Sequence, residues 1–359
     1  MKVLFLLPYP LRQAPSQRFR VEAFFNLLKI QQIHFDTHVF LDDNAWKVLY
    51  KGGSSFQKAL AVIKGFLRRT LKVLFQSYKY DYIFVHREAS PIGPPVFEWI
   101  LAKVFRKRLI YDFDDAIWIP NVTESNELAG KVKCFWKIKY ICKWSYKISV
   151  GNAYLANYAL KYQGRPEHVF VIPTCVDTAN RFNQLKQQYV DEKVVIGWTG
   201  SHSTLPYLDI VYPVLERLEK ECNSEVLVIC NQPPKFSLSS LQFIQWKEET
   251  EIEDLLRIHI GIMPLVQDVW SEGKCGFKII QYLALGIPAV ASPVGVNKNI
   301  VEQGRSGFLC TTQEEWYQAL RLLINEARLR QQFGEAGRKK MVNQFSIAAN
   351  ADKFISLFS

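Results

Sequence analysis

The stretch Ser271–Gly295, SEGKCGFKIIQYLALGIPAVASPVG, sets two lysines, two glycines and an amide around the start of an apolar run. Gly273 and Gly276 let backbone approach a ligand closely. A helix beginning near Phe277 turns its N–H groups and the positive end of its dipole the same way. Lys274 and Lys278 add point charges there, so the natural guest is a diphosphate. Gln281, one turn further on, can exchange two hydrogen bonds with vicinal ribose hydroxyls. An ordinary strand–loop–helix with solvated lysines is the plainer reading, but glycines, cations and a helix start coincide, which favours phosphate. A second stretch, Ile196–Thr204 (IGWTGSHST), ends an apolar run in Gly200 and Ser201, a small turn through which a phosphate can reach backbone.

Carboxylates gather elsewhere. Arg108–Trp118, RLIYDFDDAIW, carries Asp112, Asp114 and Asp115 where a strand should end. Three chemistries compete: a DxD pair holding a divalent metal, an Asp nucleophile of the haloacid-dehalogenase type, and a plain helix cap with an arginine partner. No further acidic cluster completes a metal site, and a nucleophile at Asp112 leaves the upstream sheet without purpose. A polar role at a ligand site without metal is the reading kept. His86, Arg87 and Glu88 follow the run YIFVH and form a second polar group at a strand end. Arg18 and Arg20, in SQRFR, follow the first strand and either hold an anionic acceptor or donor diphosphate or stand solvated on a first helix.

These groups need a frame, and apolar runs alternating with helical patterns supply it. Candidate strands are KVLFLL, THVFL, YIFVH, RLIYDF, ISVG and VFVIP, then VVIGWTG, VLVIC, IGIMPL and PAVAS. A polar linker, Pro173 to Asp191, separates the two sets. The expectation is an α/β chain of two Rossmann-like doubly wound parallel sheets, with ligands at the carboxyl ends of the strands in a cleft between facing domains.

Composition narrows the class. The chain has 359 residues, 48% hydrophobic and 14% aromatic, which excludes disorder. It has no apolar run of 18 residues, so no membrane-spanning helix is expected, and the opening KVLFLL reads as a strand rather than a signal peptide. Seven scattered cysteines without a CxxC pair suggest reduced, mostly buried thiols, no structural zinc and a cytoplasmic setting. Residues 1–175 hold 26 Lys+Arg against 13 Asp+Glu; the remainder holds 19 against 21. A strongly basic half beside a near-neutral one points to an anionic partner.

Two basic segments are candidates for that contact. In Lys58–Phe75 apolar residues at 60, 63, 67, 71 and 74 share a helical face, flanked by Lys64, Arg68 and Lys72. In Gly130–Lys147 lysines at 131, 133, 137, 139, 143 and 147 interleave with aromatic residues. Aromatic and cationic residues together suit a membrane interface or single-stranded nucleic acid. An apolar stripe at helical spacing is more often core, so the charge excess is what favours a surface.

The second half resembles the donor-binding domain of retaining glycosyltransferases of the GT-B fold, family 4, the glycosyl transferases group 1. The residues that carry this are GWTGSHSTLPYL, IGIMPL, GKCGFKIIQYLALGIPAVASPVGVNKNIV and SGFL, across residues 190–345. REASPIG, YDFDDAIW, GNAYLANYA and VIPTCVD look like a bacterial subgroup of it. The resemblance implies residues 1–175 as an acceptor domain, 176–345 as a donor domain, and 346–359 crossing back to the first. It implies a nucleoside-diphosphate sugar donor, a carbohydrate or lipid-linked acceptor, and no obligatory metal or other cofactor. Carried over, Gly200 and Ser201 contact the diphosphate, Lys274, Gly276, Phe277 and Lys278 cradle it, and Gln281 meets the ribose. His86 and Asp112 become candidates near the transferred sugar, with Arg18, Arg87, Glu88, Asp114 and Asp115 lining the acceptor side. The chain departs from the family in lacking its E-x7-E glutamates: Gln281 takes the second position, Gly273 the first, and Glu272 falls one residue early. The family's arginine and lysine after the first donor-domain strand correspond to Ser201 and Pro206, and Lys274 and Lys278 replace that charge.

The expected product is surface polysaccharide, lipopolysaccharide or a glycolipid, made on the inner, anionic face of the plasma membrane, with no nucleic-acid partner. An epimerase or hydrolase using the same donor, a nucleic-acid-directed transferase and a noncatalytic nucleotide binder remain as alternatives.

Overall fold

The computed structural model describes residues 1–50, 54–120, 132–189 and 193–359. Lys131 and Gly130 of the second basic segment, and the end of the polar linker at 190–191, lie outside the described residues. The chain divides into two compact units, Met1–Thr174 with Ala351–Ser359, and Cys175–Asn350.

The first unit holds six parallel strands: β1 (Lys2–Leu7), β2 (His34–Val39), β3 (Tyr82–His86), β4 (Arg108–Phe113), β5 (Lys147–Val150) and β6 (Val169–Val171). Their order is β2-β1-β3-β4-β5-β6. β1 and β3 are apolar and buried almost throughout, as strands covered by helices on both faces must be. The order reverses between β1 and β3, so the crevice at their carboxyl ends is where this sheet would take a ligand. His86 ends β3, and the short helix Pro15–Arg20 follows β1, which puts both at that point.

In the second unit the strands are β7 (Val194–Gly200), β8 (Ser224–Cys230), β9 (Leu241–Gln245), β10 (Ile260–Met263), β11 (Ala289–Ala291) and β12 (Gly307–Leu309). The order β12-β11-β10-β7-β8-β9 is the doubly wound dinucleotide-binding arrangement, reversing between β7 and β10. Gly200 ends β7 at that reversal. Trp198 and Trp316 are the largest fully buried apolar side chains of its core.

Several strand expectations shift at their ends, VLVIC starting at Ser224 and VFVIP stopping at Val171 among them, and two strands were not expected. THVFL belongs to a strand that starts earlier, at His34, and ISVG to one that starts at Lys147 and stops at Val150. LQFIQ and GFL are strands that apolar patterning alone did not reveal. Both are sheet edges: β9 is only half-buried, and β12 is three residues long. Edge strands need not carry the continuous apolar run that marks a central one. Of the seven cysteines, none is disulfide-bonded and four are buried. Among the described residues, no helix is long and apolar enough to cross a membrane.

The last nine residues are part of the first unit's core. The Phe354 ring stacks on Phe24 with centroids 4.0 Å apart and planes 5° from parallel. Phe358 meets Phe5 and Tyr82 edge-on. Lys147 Nζ, expected at a surface, is buried instead and donates to the carbonyls of Ser356 and Ser359 at 2.6 and 2.9 Å. Phe354→Ala removes a buried ring from a site that cannot collapse fully, at a cost of about 3–5 kcal/mol. The expected result is a lower denaturant midpoint for the first unit, read from urea unfolding.

Candidate active site

In the second unit the site begins with Gly200. A methyl group placed on it would lie 2.7 Å from Lys278 Cε and 2.5 Å from the Trp198 ring. Only glycine leaves room for the lysine stem to pass, so the turn after β7 and the helix Phe277–Ala284 meet here. Lys278 Nζ stands 5.3 Å from the Trp198 ring centroid, and Lys274 Nζ stands 5.4 Å from that of Trp270. Each ammonium therefore has an aromatic face beside it, which favours the charge and holds its stem. The Lys278 charge also reaches the end of β8, where burial pushes the Cys230 thiol up and the lysine opposes it.

Gly276 caps the helix with φ +65°, left-handed backbone that favours glycine, and a methyl there would lie 2.2 Å from Ile300 Cδ1. No side chain caps this end. The helix begins at Phe277, as its sequence predicts. Phe277 is half-buried, and Gln281 is 4% exposed, with no hydrogen-bond partner for its carboxamide among the described residues. Ser201 is exposed, and its hydroxyl pairs with that of Ser203 at 2.9 Å. Glu272 accepts from Gln267 Nε2 at 2.6 Å.

Sequence reasoning missed the residues that hold these turns. Tyr282 Oη accepts from the Thr199 amide at 2.9 Å, tying the end of β7 to the middle of the helix. Asn231, after β8, accepts from the His202 amide at 2.8 Å and fixes the neighbouring turn. The signal for Trp198 was available in GWTG, where an aromatic precedes the small turn.

The first unit has a different centre, built of charge. His86 and Asp112 are register neighbours on β3 and β4. His86 Nδ1 meets Asp112 Oδ2 at 2.8 Å, and its Nε2 meets Ser16 Oγ at 2.9 Å. Arg20 pairs with the other Asp112 oxygen and donates to Ser149 Oγ at 3.1 Å. The Ser16 hydroxyl also helps to lower the Asp114 carboxyl. Arg87, held at φ +57°, donates from Nε to Asp114 and from Nη2 to Asp115, both at 2.8 Å. The result is one connected line, Arg20–Asp112–His86–Ser16–Asp114–Arg87–Asp115, of mostly alternating charge. Burial would raise the Asp112 carboxyl, but Arg20 and the bond from His86 outweigh it and hold it below 3.8. Asp114 is likewise held well below its usual value, with Arg87 and His86 overcoming burial.

The remaining expected residues are placed nearby or apart. Glu88 pairs with Lys137 Nζ at 2.7 Å, and that lysine also donates to the Ser90 carbonyl. Lys137, expected on a basic surface, is therefore a buried partner of the site. Arg18 is buried on the helix Pro15–Arg20, 4.9 Å from the Phe19 ring centroid. Among the described residues no group of three or more His, Cys, Asp or Glu side chains is arranged to hold a metal ion.

Residues 237–340 match the family model of glycosyl transferases group 1. No curated protein matches the chain at a significant level. Solved structures similar to the chain include a sucrose-phosphate synthase from Thermosynechococcus elongatus, at a TM-score of 0.70 and 13% identity over 99% of this chain and 98% of that one. Anabaena HepE in complex with UDP and glucose matches at 0.61 and 15% identity, over 100% and 99%. The catalytic domain of starch synthase IV from Arabidopsis thaliana, bound to ADP and acarbose, matches at 0.68 and 12%, over 99% and 98%. The fold is GT-B, and the chain carries a glycosyltransferase domain.

Removing one partner of a buried ion pair strands the other charge, so Arg20→Met should cost about 3–5 kcal/mol. Asp112 and Asp114 bind protons less readily folded than unfolded, so their stabilisation is complete above about pH 5 and is lost progressively as pH falls through 3.8 and toward their lower folded-state values. Urea unfolding of both proteins between acid and neutral pH should therefore show the widest gap near neutrality and a narrowing gap in acid.

Proposed function

We propose that the chain transfers a sugar, with retention at the anomeric carbon, from a nucleoside-diphosphate sugar to a carbohydrate or lipid-linked acceptor. The products would be surface polysaccharide, lipopolysaccharide or a glycolipid made in the cytoplasm. One observation carries the donor assignment: Gly200 admits the Lys278 stem, so a cation, a small turn and a helix start converge at the reversal point of the second sheet. That combination suits a diphosphate. Relatives of the same fold solved with UDP and with ADP support a guest of this class.

In the reaction the bond from the anomeric carbon to the diphosphate oxygen breaks as the oxygen of an acceptor hydroxyl bonds that carbon on the same face, its proton passing to the departing diphosphate oxygen. Negative charge then grows on the departing diphosphate. Lys274, Lys278 and the positive helix end would stabilise that growth, and the reading needs no obligatory metal or other cofactor. Gln281 would take the ribose hydroxyls, to which its carboxamide can both donate and accept. In the first unit Asp112, 1% exposed and engaged by Arg20 and His86, is a positioning residue. It orients His86, whose other nitrogen meets the half-buried Ser16, the member of the line we assign to the acceptor.

Calorimetric titration with UDP, GDP, CDP and ADP, without added metal, tests this. One nucleotide should bind, and Lys278→Ala should weaken it about tenfold or more, since a charge-assisted contact is lost. Gly200→Ala should do the same by displacing the lysine stem. If no nucleotide binds, or binding survives both substitutions, the donor site is elsewhere. Sugar release or isomerisation without any acceptor would instead favour a hydrolase or epimerase.

A further inference from the structure

The helix Ser55–Gln76 carries an apolar stripe that the fold leaves uncovered. Phe56, Leu60, Ile63, Leu67, Leu71 and Leu74 recur every three or four residues and are between 41 and 76% exposed. At about 1.5 Å per residue the helix runs roughly 33 Å. Its rotation is fixed from beneath. A methyl on Gly65 would lie 2.7 Å from Phe40, so only glycine lets this turn sit so close, and Arg69 is fully buried, donating to the Leu7 carbonyl at 2.8 Å. Burial pushes the Arg69 guanidinium down to about 9. With Gly65, Arg69 and Val73 inward, the leucine stripe must point outward. A stripe at helical spacing would ordinarily be core, and here it is not.

Charge decides what the stripe faces. Residues 44–80 contain no Asp or Glu and eight Lys or Arg. Lys64, Arg68 and Lys72 line one edge of the stripe. Asp42, just before this stretch, is the one carboxylate paired with both Lys64 and Arg68 among the described residues, at 3.6 and 2.9 Å. A second copy of this face would bring the same excess of cations, with Asp42 already engaged, against it and be repelled. A helix with five cations along its length does not cross a bilayer. An apolar face edged by cations, lying flat, is what an anionic lipid interface accepts.

We infer that the helix Ser55–Gln76 docks the first unit on an anionic phospholipid bilayer, its leucine stripe entering the headgroup–acyl boundary. This rests on the exposed stripe and its charge, so it stands whether or not the donor assignment holds. It gives the proposed transferase direct access to lipid-linked acceptors.

Co-sedimentation with phosphatidylcholine vesicles, with and without about one third phosphatidylglycerol, tests it. The full-length protein should bind the anionic vesicles at least tenfold more tightly than the neutral ones, and more weakly as salt rises. Leu60→Ser/Leu67→Ser/Leu71→Ser should abolish vesicle binding while leaving nucleotide affinity as in the wild type, which also shows that the variant is folded. In an otherwise unchanged protein, Leu67→Trp should show a blue-shifted tryptophan contribution on anionic vesicles only. The inference is overturned if wild type ignores anionic vesicles, or if the serine variant binds them equally well. It is also overturned if wild type sediments as a dimer that the serine substitutions dissociate without any vesicle binding, or if an oligonucleotide binds in place of lipid. Loss of nucleotide binding in wild type with vesicle binding intact would sink the donor assignment and leave this one standing.

Discussion

The passage of the Lys278 side chain across Gly200 is the contact on which the proposed donor site depends. A parallel sheet offers a ligand little except the ends of its strands, and those ends are backbone. A cation has to be brought to them from another element. Here it comes from the first turn of the helix Phe277–Ala284, and it fits because residue 200 has no side chain and because Gly276 adopts the left-handed backbone that starts the helix at that angle. Trp198 then lies alongside the ammonium and keeps its stem from wandering. Tyr282 ties the same helix back to the Thr199 amide. In the proposed reaction such a preformed cationic turn would stabilise a departing diphosphate without reorganising.

The first unit solves a different problem. Arg20, His86 and Asp112 are taken out of water, and a charge so buried is tolerated only when it is paired and hydrogen bonded. The line from Arg20 to Asp115 meets that condition by setting most carboxylates beside a cation. Its cost in desolvation is returned as rigidity: no member can turn without stranding its neighbour. The line also brings the half-buried Ser16 to the carboxyl ends of β1 and β3, at the reversal of the first sheet. Lys137 and Lys147 extend the same economy. Both look like surface cations in the sequence, yet both are buried, Lys137 on Glu88 and the Ser90 carbonyl and Lys147 on the carbonyls of Ser356 and Ser359.

With those two lysines withdrawn inward, the excess positive charge of the first unit is carried by fewer exposed groups. A compact group of them edges the leucine stripe of Ser55–Gln76. Burial and exposure thus divide one basic sequence into two roles, internal pairing and outward attraction. The division follows from where Gly65 and Arg69 fix the rotation of one helix.

What the sequence by itself determined was the repeating alternation of buried strands and helices, the cationic glycine turn before Phe277, and the placing of polar groups at strand ends. These are local: a run of apolar residues, a glycine or a helix start constrains its own neighbourhood whatever lies beyond. The edge strands β9 and β12 escaped because an edge can be polar or short and still be paired. The tertiary structure alone decided that Gly200 and Lys278 touch, that His86 bridges Ser16 and Asp112, and that the leucine stripe faces out. Each joins residues tens of positions apart or depends on which face of a helix meets its sheet. Sequence periodicity gives the spacing of an apolar face but not its direction, because direction is set by packing against residues that the helix itself does not contain.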